Sequence, residues 1–263
     1  MSNANNSWPA VKVVIVASAF GVQAVRQRGH AAWLDTAADA GAAGFEVRRE
    51  LFAHEADAAL EALHALGAAV AARDMWSVYS TPAALYCDDG ALNATALAAA
   101  YAEADALGAR WVKLQLGGFS GEAGGATIAR VSAGHRARLV VENGQREQDG
   151  TIAQFVALFA ALERKGSADV LGMTFDVGNW QWPGEAPLDA AGALAPYVEY
   201  VHCKSSEGQG VRRFPVAPAP QDPLFQAVLD RLPRTAPRGI EFPLDERALA
   251  EDARRSVAWL ASA

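Results

Sequence analysis

Short apolar runs alternate along this chain with longer stretches in which apolar residues recur at helical spacing. The first run, Val11–Ala17, is rich in β-branched residues, and the stretch Ala31–Ala42 after it has apolar residues three and four apart. A short apolar run bounded by turn residues predicts a buried strand, whereas a period near 3.6 predicts an amphipathic helix. The chain is therefore expected to begin with a strand followed by a helix.

The same alternation continues to the end of the chain. Later runs predict strands at Phe45–Arg49, Trp111–Leu116, Leu139–Glu142, the run through Met173 and Phe175 that ends at Asp176, Val198–Cys203 and Gly239–Phe242. One further strand lies either near Ala68–Ala72 or near Met75–Tyr79. Helical patterns cover Ala56–Leu66 with Gly67 at its end, Ala91–Leu107, Ala126–Ser132, the segment after Thr151, Leu188–Leu194, Leu224–Leu232 and Glu246–Ala261. Thr151 and Gln154 have the spacing of a capping box.

Alternating strands and helices predict a parallel sheet with right-handed crossovers. Eight units in 263 residues are about 33 residues each, which favours a closed (β/α)8 TIM barrel over a doubly wound sheet of five or six strands. An open α/β sheet stays an alternative because the third and fourth units are weakly defined. No linker interrupts the pattern, so residues 11–263 are expected to form one barrel domain behind a flexible tail, residues 1–10.

Composition and charge narrow the class of protein. About half of the residues are apolar, enough for a sizeable core, and the net charge of −7 disfavours a nucleic-acid partner. The two cysteines, Cys87 and Cys203, indicate a reducing cytoplasm rather than a disulfide framework. The first ten residues lack an apolar signal core, and no apolar stretch is long enough to span a membrane. A cytoplasmic protein without membrane association is expected.

Polar side chains recur at the carboxyl ends of the predicted strands. They are Glu46 and Arg48, Lys113 and Gln115, Glu142, Asp176, His202 and Lys204, and Glu241. In a closed barrel these ends share one face, and that face carries the active site. Because side chains alternate along a strand, residues two apart, such as His202 and Lys204, point to the same side.

Four of these residues have the composition of a metal site: Glu142, Asp176, His202 and Glu241. They come from four successive strands, each about one strand–helix unit apart. Three crowded carboxylates would repel one another unless a cation neutralised them. Taken singly, each residue is more simply explained as an ion-pair partner or a core histidine. Together they predict one divalent metal ion, and the donor set suits Mn²⁺, Mg²⁺, Co²⁺ or Zn²⁺ without selecting among them.

The segments VVENG, TFDVGNW, YVHCKS and GIEFPL resemble the metal-binding strand ends of the xylose isomerase-like barrels. More narrowly, they are similar to the sugar phosphate isomerase/epimerase group, with GFEVRREL as a weaker supporting segment. The resemblance implies that the four residues bind one metal and that Glu142 and Glu241 act as general base and acid. The implied reaction isomerises or epimerises a small sugar, sugar phosphate or hydroxy-keto acid through an enediolate.

Six residues near these strand ends are candidates for substrate contact: Glu46, Arg48, Lys113, Asn179, Trp180 and Lys204. For Arg48 an ion pair is the commoner explanation, for Trp180 simple packing is as common as stacking on a sugar, and Lys204 is as well explained by solvation. Asn179 stands where similar sugar epimerases often carry a histidine. Since an amide cannot shuttle a proton near neutral pH, this difference weakens the case for epimerisation.

Three other functions remain open on sequence alone. Some similar barrels are lyases that dehydrate a hydroxy-keto acid through the same kind of enolate. The superfamily also includes DNA-repair endonucleases, which the acidic charge and the lack of additional histidines disfavour. A non-catalytic sugar-binding barrel is the third alternative. The sequence leaves open the substrate, the metal and whether the chain forms a homo-oligomer.

Overall fold

The computed structural model describes residues 10–209 and 212–263, and its central feature is a closed barrel of eight parallel strands. The barrel strands are β1 (Val13–Val16), β2 (Gly44–Arg48), β3 (Trp76–Tyr86), β4 (Trp111–Gly117), β5 (Arg138–Glu142), β6 (Gly172–Asp176), β7 (Val198–Cys203) and β10 (Arg238–Ile240). They neighbour one another in chain order, and β10 pairs with both β7 and β1 to close the ring. The predicted TIM barrel is confirmed, and the open sheet is wrong. Apart from Ala10, the predicted tail lies outside the described residues.

Helices separate the barrel strands. The α-helices are α1 (Val22–Arg28), α2 (Leu34–Asp39), α3 (Leu60–Ala71), α4 (Ala94–Leu107), α5 (Gly125–Ser132), α6 (Ile152–Arg164), α7 (Pro187–Leu194), α8 (Pro223–Arg231) and α9 (Leu249–Ser262). Short 3-10 helices occupy Ala17–Phe20, His30–Trp33, Arg49–Leu51, Glu55–Ala58, Ala168–Val170, Asn179–Gln181 and Ala195–Tyr197. Within the described ranges, no helix is both long and apolar enough to cross a bilayer.

Some predicted boundaries of helices and strands are confirmed, and others differ from the structure. Strand Val198–Cys203 and the capping box at Thr151 are confirmed. The last barrel strand ends at Ile240, so Glu241 lies just beyond it. The loop after β7 contains an antiparallel hairpin of β8 (Ser205–Glu207) and β9 (Phe214–Val216).

The third strand follows the second of its two predicted positions. Ala68–Ala72 belongs instead to the end of α3, and β3 runs from Trp76 well beyond Tyr79. The register of β3 against β4 shifts between Ser80 and Ala84, which brackets Pro82. Proline donates no backbone hydrogen bond, so it is tolerated in a strand at such an irregularity. Because of this proline, the part of β3 after Tyr79 is not recognisable as a strand from the sequence.

Gly67 does not end its helix, contrary to the prediction. It lies inside α3, and a Cβ at this position would come within 2.0 Å of the backbone oxygen of Leu107 at the end of α4. The glycine is therefore explained by the close approach of two helices and not by a helix stop.

We expect Gly67→Ala to lower the free energy of unfolding by about 1–3 kcal/mol, because the added methyl group displaces a backbone. This cost exceeds the gain of about 1 kcal/mol that alanine brings to a helix interior. Urea denaturation measures the change. Gly192→Ala in α7 is the matched control, since nothing lies within 4 Å of a Cβ there, and it should be stabilising. Equal stabilisation of both variants would contradict the close contact.

Candidate metal centre

The four predicted metal ligands converge at the carboxyl-terminal end of the barrel. Glu142, Asp176 and His202 stand at or near the ends of β5, β6 and β7, and Glu241 directly follows β10. One donor atom from each lies within 4.8 Å of every other. All four side chains are buried, with Glu241 the most exposed at 9%. Parallel strands of one barrel end on one face, which brings together residues far apart in sequence.

Glu46 fixes the orientation of the His202 imidazole. The Nε2 atom of His202 lies 2.8 Å from Glu46 Oε2, which also accepts a hydrogen bond of 2.9 Å from the Tyr200 hydroxyl. A carboxylate can only accept here, so Nε2 carries a proton. His202 Nδ1 consequently faces the cluster, 2.7 Å from Glu142 Oε1 and 2.8 Å from Glu241 Oε2. Nδ1 is the imidazole atom placed to bind a metal.

Two atoms at the centre of the cluster have no hydrogen-bond partner among the described residues. They are Glu142 Oε1 and His202 Nδ1. Buried polar atoms without partners are costly, and these two lie on donor groups that face one another. Converging oxygen and nitrogen donors of this kind fit a divalent cation.

The charge of the buried groups supports the same assignment. The cluster and the side chains beneath it comprise four carboxylates and two ammonium groups, namely Glu46, Glu142, Asp176, Glu241, Lys113 and Lys204. Carboxylates outnumber ammonium groups in this set, so the site attracts a cation. Although burial disfavours a charged imidazole, the carboxylates of Glu241 and Glu46 raise the pKa of His202 well above its usual value.

Lys113 anchors Glu142 from beneath the cluster. Its Nζ is fully buried and lies 2.9 Å from Glu142 Oε2 and 3.1 Å from Glu46 Oε1. Gln115 donates a second hydrogen bond of 2.9 Å to the same Glu142 oxygen. Burial alone would raise the pKa of Glu142, but Lys113 and His202 outweigh it and hold that pKa below its usual value. Glu142 is therefore an ionised carboxylate with one anchored oxygen.

A cavity of about 380 Å³ opens next to the cluster. Its lining includes Arg48, Thr81, Pro82, Gln115, Glu142, Gly144, Gln145, Arg146, Asp149, Asn179, Lys204 and Glu241. Three of the six predicted substrate-contact residues, Arg48, Asn179 and Lys204, are therefore at the cavity. The other three are buried elsewhere.

Two cations at the cavity contact Glu241. Lys204 Nζ lies 2.8 Å from Glu241 Oε2 and 2.7 Å from Asp176 Oδ2. Arg48 pairs with Glu241 and, at 2.6 Å, with Glu50, as the ion-pair explanation of Arg48 anticipated. Burial would raise the pKa of Glu241, but His202 and Lys204 hold it well below its usual value. Glu241 is thus ionised as well.

Asn179 lines the cavity and is hydrogen-bonded to three neighbouring residues. Its backbone N–H donates to Asp176 Oδ1 at 2.9 Å, and its Nδ2 donates to the Asn143 carbonyl at 2.8 Å. Its Oδ1 accepts from Gln145 Nε2 at 3.1 Å. The amide therefore connects the loops that follow β5 and β6.

Asn143 is a site residue that the sequence pattern did not reveal. Its fully buried amide accepts from the Asp176 backbone N–H at 2.8 Å and donates to the Asp176 carbonyl at 3.0 Å. The side chain thereby extends the pairing of β5 with β6 and fixes Asp176. Its position directly after Glu142 was the available signal, but an Asn-Gly pair is also typical of an ordinary turn.

The predicted substrate contacts of Glu46, Lys113 and Trp180 do not fit their placement. Glu46 and Lys113 are fully buried beneath the cluster, where they position His202 and Glu142. Trp180 is also fully buried, and its ring packs against Phe175 of β6 and Phe155 of α6. The 3-10 helix Asn179–Gln181 places this indole in the outer core, so it does not form a wall of the cavity.

We expect Glu46→Gln to weaken divalent-metal binding by about 10–100-fold, the usual effect of losing a group that orients a ligand. A neutral amide cannot accept hydrogen bonds from His202 and Tyr200 and at the same time balance the charge of Lys113. Isothermal titration with Mn²⁺ measures the affinity. Glu163→Gln is the matched control, because Glu163 also accepts from a tyrosine hydroxyl, that of Tyr197, but on the surface. An unchanged affinity in folded Glu46→Gln protein would contradict this positioning role.

Comparison with solved structures identifies the fold class. The sequence matches no family profile and no curated relative. The chain is similar over 95% of its length to the probable 3-DHS dehydratase AsbF of Bacillus anthracis (99% of that chain, 13% identity, TM-score 0.63). It is also similar over 95% of its length to D-psicose 3-epimerase of Clostridium cellulolyticum (98% of that chain, 10% identity, TM-score 0.66). A third similar structure, over 97% of this chain, is endonuclease IV of Thermus thermophilus (100% of that chain, 20% identity, TM-score 0.59). The chain thus has the xylose isomerase-like TIM-barrel fold. The neighbours are enzymes of three kinds, so the fold does not select a reaction.

Proposed function

We propose that this protein is a divalent-metal-dependent isomerase or epimerase that acts on a small sugar, sugar phosphate or hydroxy-keto acid through an enediolate. The observation that carries the proposal is the buried convergence of Glu142, Asp176, His202 and Glu241, in surroundings where carboxylates outnumber ammonium groups. A group of this composition at the carboxyl-terminal face of a TIM barrel stands where such enzymes have their active sites. The similarly folded dehydratase and epimerase agree with a small-molecule substrate.

The four residues would hold Mn²⁺, Mg²⁺, Co²⁺ or Zn²⁺, and the bound ion would polarise a substrate carbonyl and acidify the neighbouring C–H bond. Glu142 is suited to take that proton because it is an ionised carboxylate at the cavity, held in place by hydrogen bonds from Lys113 and Gln115 to its Oε2. Glu241 is suited to exchange a proton at the neighbouring atom, since Lys204 and Arg48 hold its carboxylate at the cavity. The two glutamates occupy opposite ends of the arc of four strands.

The lining of the cavity supports a small and polar substrate. None of its described lining residues is aromatic, and most of the lining consists of three amides, three cations, three carboxylates and one hydroxyl group. Arg48 and Lys204 favour a substrate with a carboxylate, phosphate or several hydroxyl groups. Because the Asn179 amide cannot carry a proton near neutral pH, the proposal assigns proton transfer to Glu142 and Glu241.

The test is hydrogen exchange in D2O, followed by NMR, with metal-loaded protein and a panel of ketoses, ketose phosphates and hydroxy-keto acids. Deuterium entering at the carbon next to the carbonyl, together with a new isomer or epimer, is the expected result. Loss of water with the ultraviolet absorbance of a conjugated enone would replace the proposal with the dehydratase alternative. Metal-loaded protein that exchanges no hydrogen with any member would overturn the catalytic proposal in favour of the sugar-binding barrel. Elemental analysis establishes the metal content beforehand.

A further inference from the structure

A second cavity lies on the outer side of the β1 and β2 strand ends, between α1 and α3. Its volume is about 390 Å³, and it shares no lining residue with the cavity at the metal centre. The lining combines basic and apolar side chains, among them Arg26, Arg28, His30, Leu51, Phe52 and Leu66. The function proposed for the metal centre makes no use of it.

His30 contributes a buried hydrogen-bond donor to this second cavity. The side chain is only 2% exposed, and its Nε2 accepts the backbone N–H of Arg48 at 3.3 Å. Burial lowers the pKa of His30 to about 4, so the imidazole is neutral near pH 7. Since Nε2 is the accepting nitrogen, the proton is on Nδ1. His30 Nδ1 has no hydrogen-bond partner in the described part of the chain, which leaves a buried N–H without an acceptor.

The charge of the second cavity favours an anion. Arg26 donates to the backbone oxygen of Glu50 at 3.2 Å, and the Arg28 guanidinium lies 4.5 Å from the centre of the Trp33 ring. Among the described residues, neither guanidinium has a carboxylate partner. Asp57, the acid in the lining, already accepts the His54 backbone N–H at 3.1 Å. Two cations with uncommitted donors therefore stand beside the His30 donor.

We propose that the second cavity binds a small organic anion, a short-chain carboxylate or a phosphate monoester. An anionic oxygen of this ligand accepts from His30 Nδ1, and Arg26 and Arg28 meet its charge. Its apolar portion lies against the aliphatic and aromatic side chains of Leu51 and Phe52. The site is separate from the metal centre, and Arg48 lies between the two. Its backbone N–H donates to His30, and its side chain pairs with Glu241.

The test is a titration of metal-loaded protein with butyrate and, separately, with butyl phosphate, followed through the imidazole ¹⁵N signals. A saturable shift of the His30 signal, identified by its loss in His30→Gln, is expected with at least one of the two anions. The anion that binds assigns the class. The double variant Arg26→Gln/Arg28→Gln should weaken binding by about 10-fold or more, since charge-assisted contacts are lost.

The matched control is Arg130→Gln/Arg254→Gln, which removes two exposed charges from α5 and α9. It should bind like the unaltered protein. Two results would overturn the proposal: no saturable His30 shift with either anion, or equal weakening by the control pair. Circular dichroism establishes that each variant is folded, and Arg26→Gln alone serves in place of a double variant that is not.

Discussion

Replacing Glu142 with Gln is expected to slow hydrogen exchange between substrate and solvent by about 10²–10⁴-fold, the usual contribution of one general acid–base group. An amide cannot accept the proton that the Glu142 carboxylate is placed to take. Hydrogen bonds from Lys113 and Gln115 to Glu142 Oε2 hold the side chain in position, so we expect the substitution to remove the base without moving the side chain. Initial rates of deuterium incorporation, with the substrate identified by the ketose and keto-acid panel, measure the effect.

The matched control for Glu142 is Glu122→Gln, which makes the same chemical change on an exposed side chain before α5. It should exchange at the unaltered rate. Because Glu142 is also a predicted metal ligand, the Mn²⁺ content of each variant is measured by elemental analysis. A Glu142→Gln protein that holds a full equivalent of metal and exchanges at the original rate would show that Glu142 is not the base.

Addition of Mn²⁺ to metal-free protein, at about 100 times its Kd, is expected to stabilise the fold by about 2.7 kcal/mol. For a chain of this size the gain corresponds to a rise in Tm of about 5–10 °C. The physical reason is that the four donor groups converge only in the folded state, where carboxylates outnumber ammonium groups and attract the ion. Differential scanning calorimetry with and without the ion measures the shift.

Asp176→Asn tests whether the stabilisation arises at the proposed centre. Asp176 is fully buried and contributes a carboxylate oxygen to the cluster, so the amide should abolish most of the Mn²⁺-induced shift. Glu163→Gln, on the surface of α6, should preserve it. If Asp176→Asn were stabilised by Mn²⁺ as much as the unaltered protein, the ion would bind elsewhere and the ligand assignment would be wrong.

Local patterns in the sequence predicted the fold wherever the local signal was unambiguous. The apolar, β-branched segment Val198–Cys203 forms β7 as predicted, and Thr151 caps α6 through Gln154. The predictions failed where a residue is explained by contact with a distant part of the chain. Gly67 allows the end of α4 to approach α3 closely, and Pro82 lies at a shift in the register of β3 against β4. Neither cause is visible in the residues that surround these positions along the chain.

The same distinction applies to the candidate site. The periodic appearance of acids and a histidine at strand ends predicted the set Glu142, Asp176, His202 and Glu241, and the structure brings these four together. Alternation along β2 and β4 placed Glu46 and Lys113 towards the barrel interior. It could not distinguish the cavity from the layer beneath it, because both lie on the inner side of a strand.

Local patterns alone predicted the alternation of strands and helices and the residue types at the strand ends, because strand and helix periodicity are local properties. The tertiary structure was needed to show that the sheet closes, which nitrogen of His202 faces the cluster, which oxygen of Glu142 is anchored, and that Asn179 connects two loops. These features depend on side chains from strands far apart in the chain, such as Glu46 and Tyr200 at His202. Their distances are set by closure of the barrel.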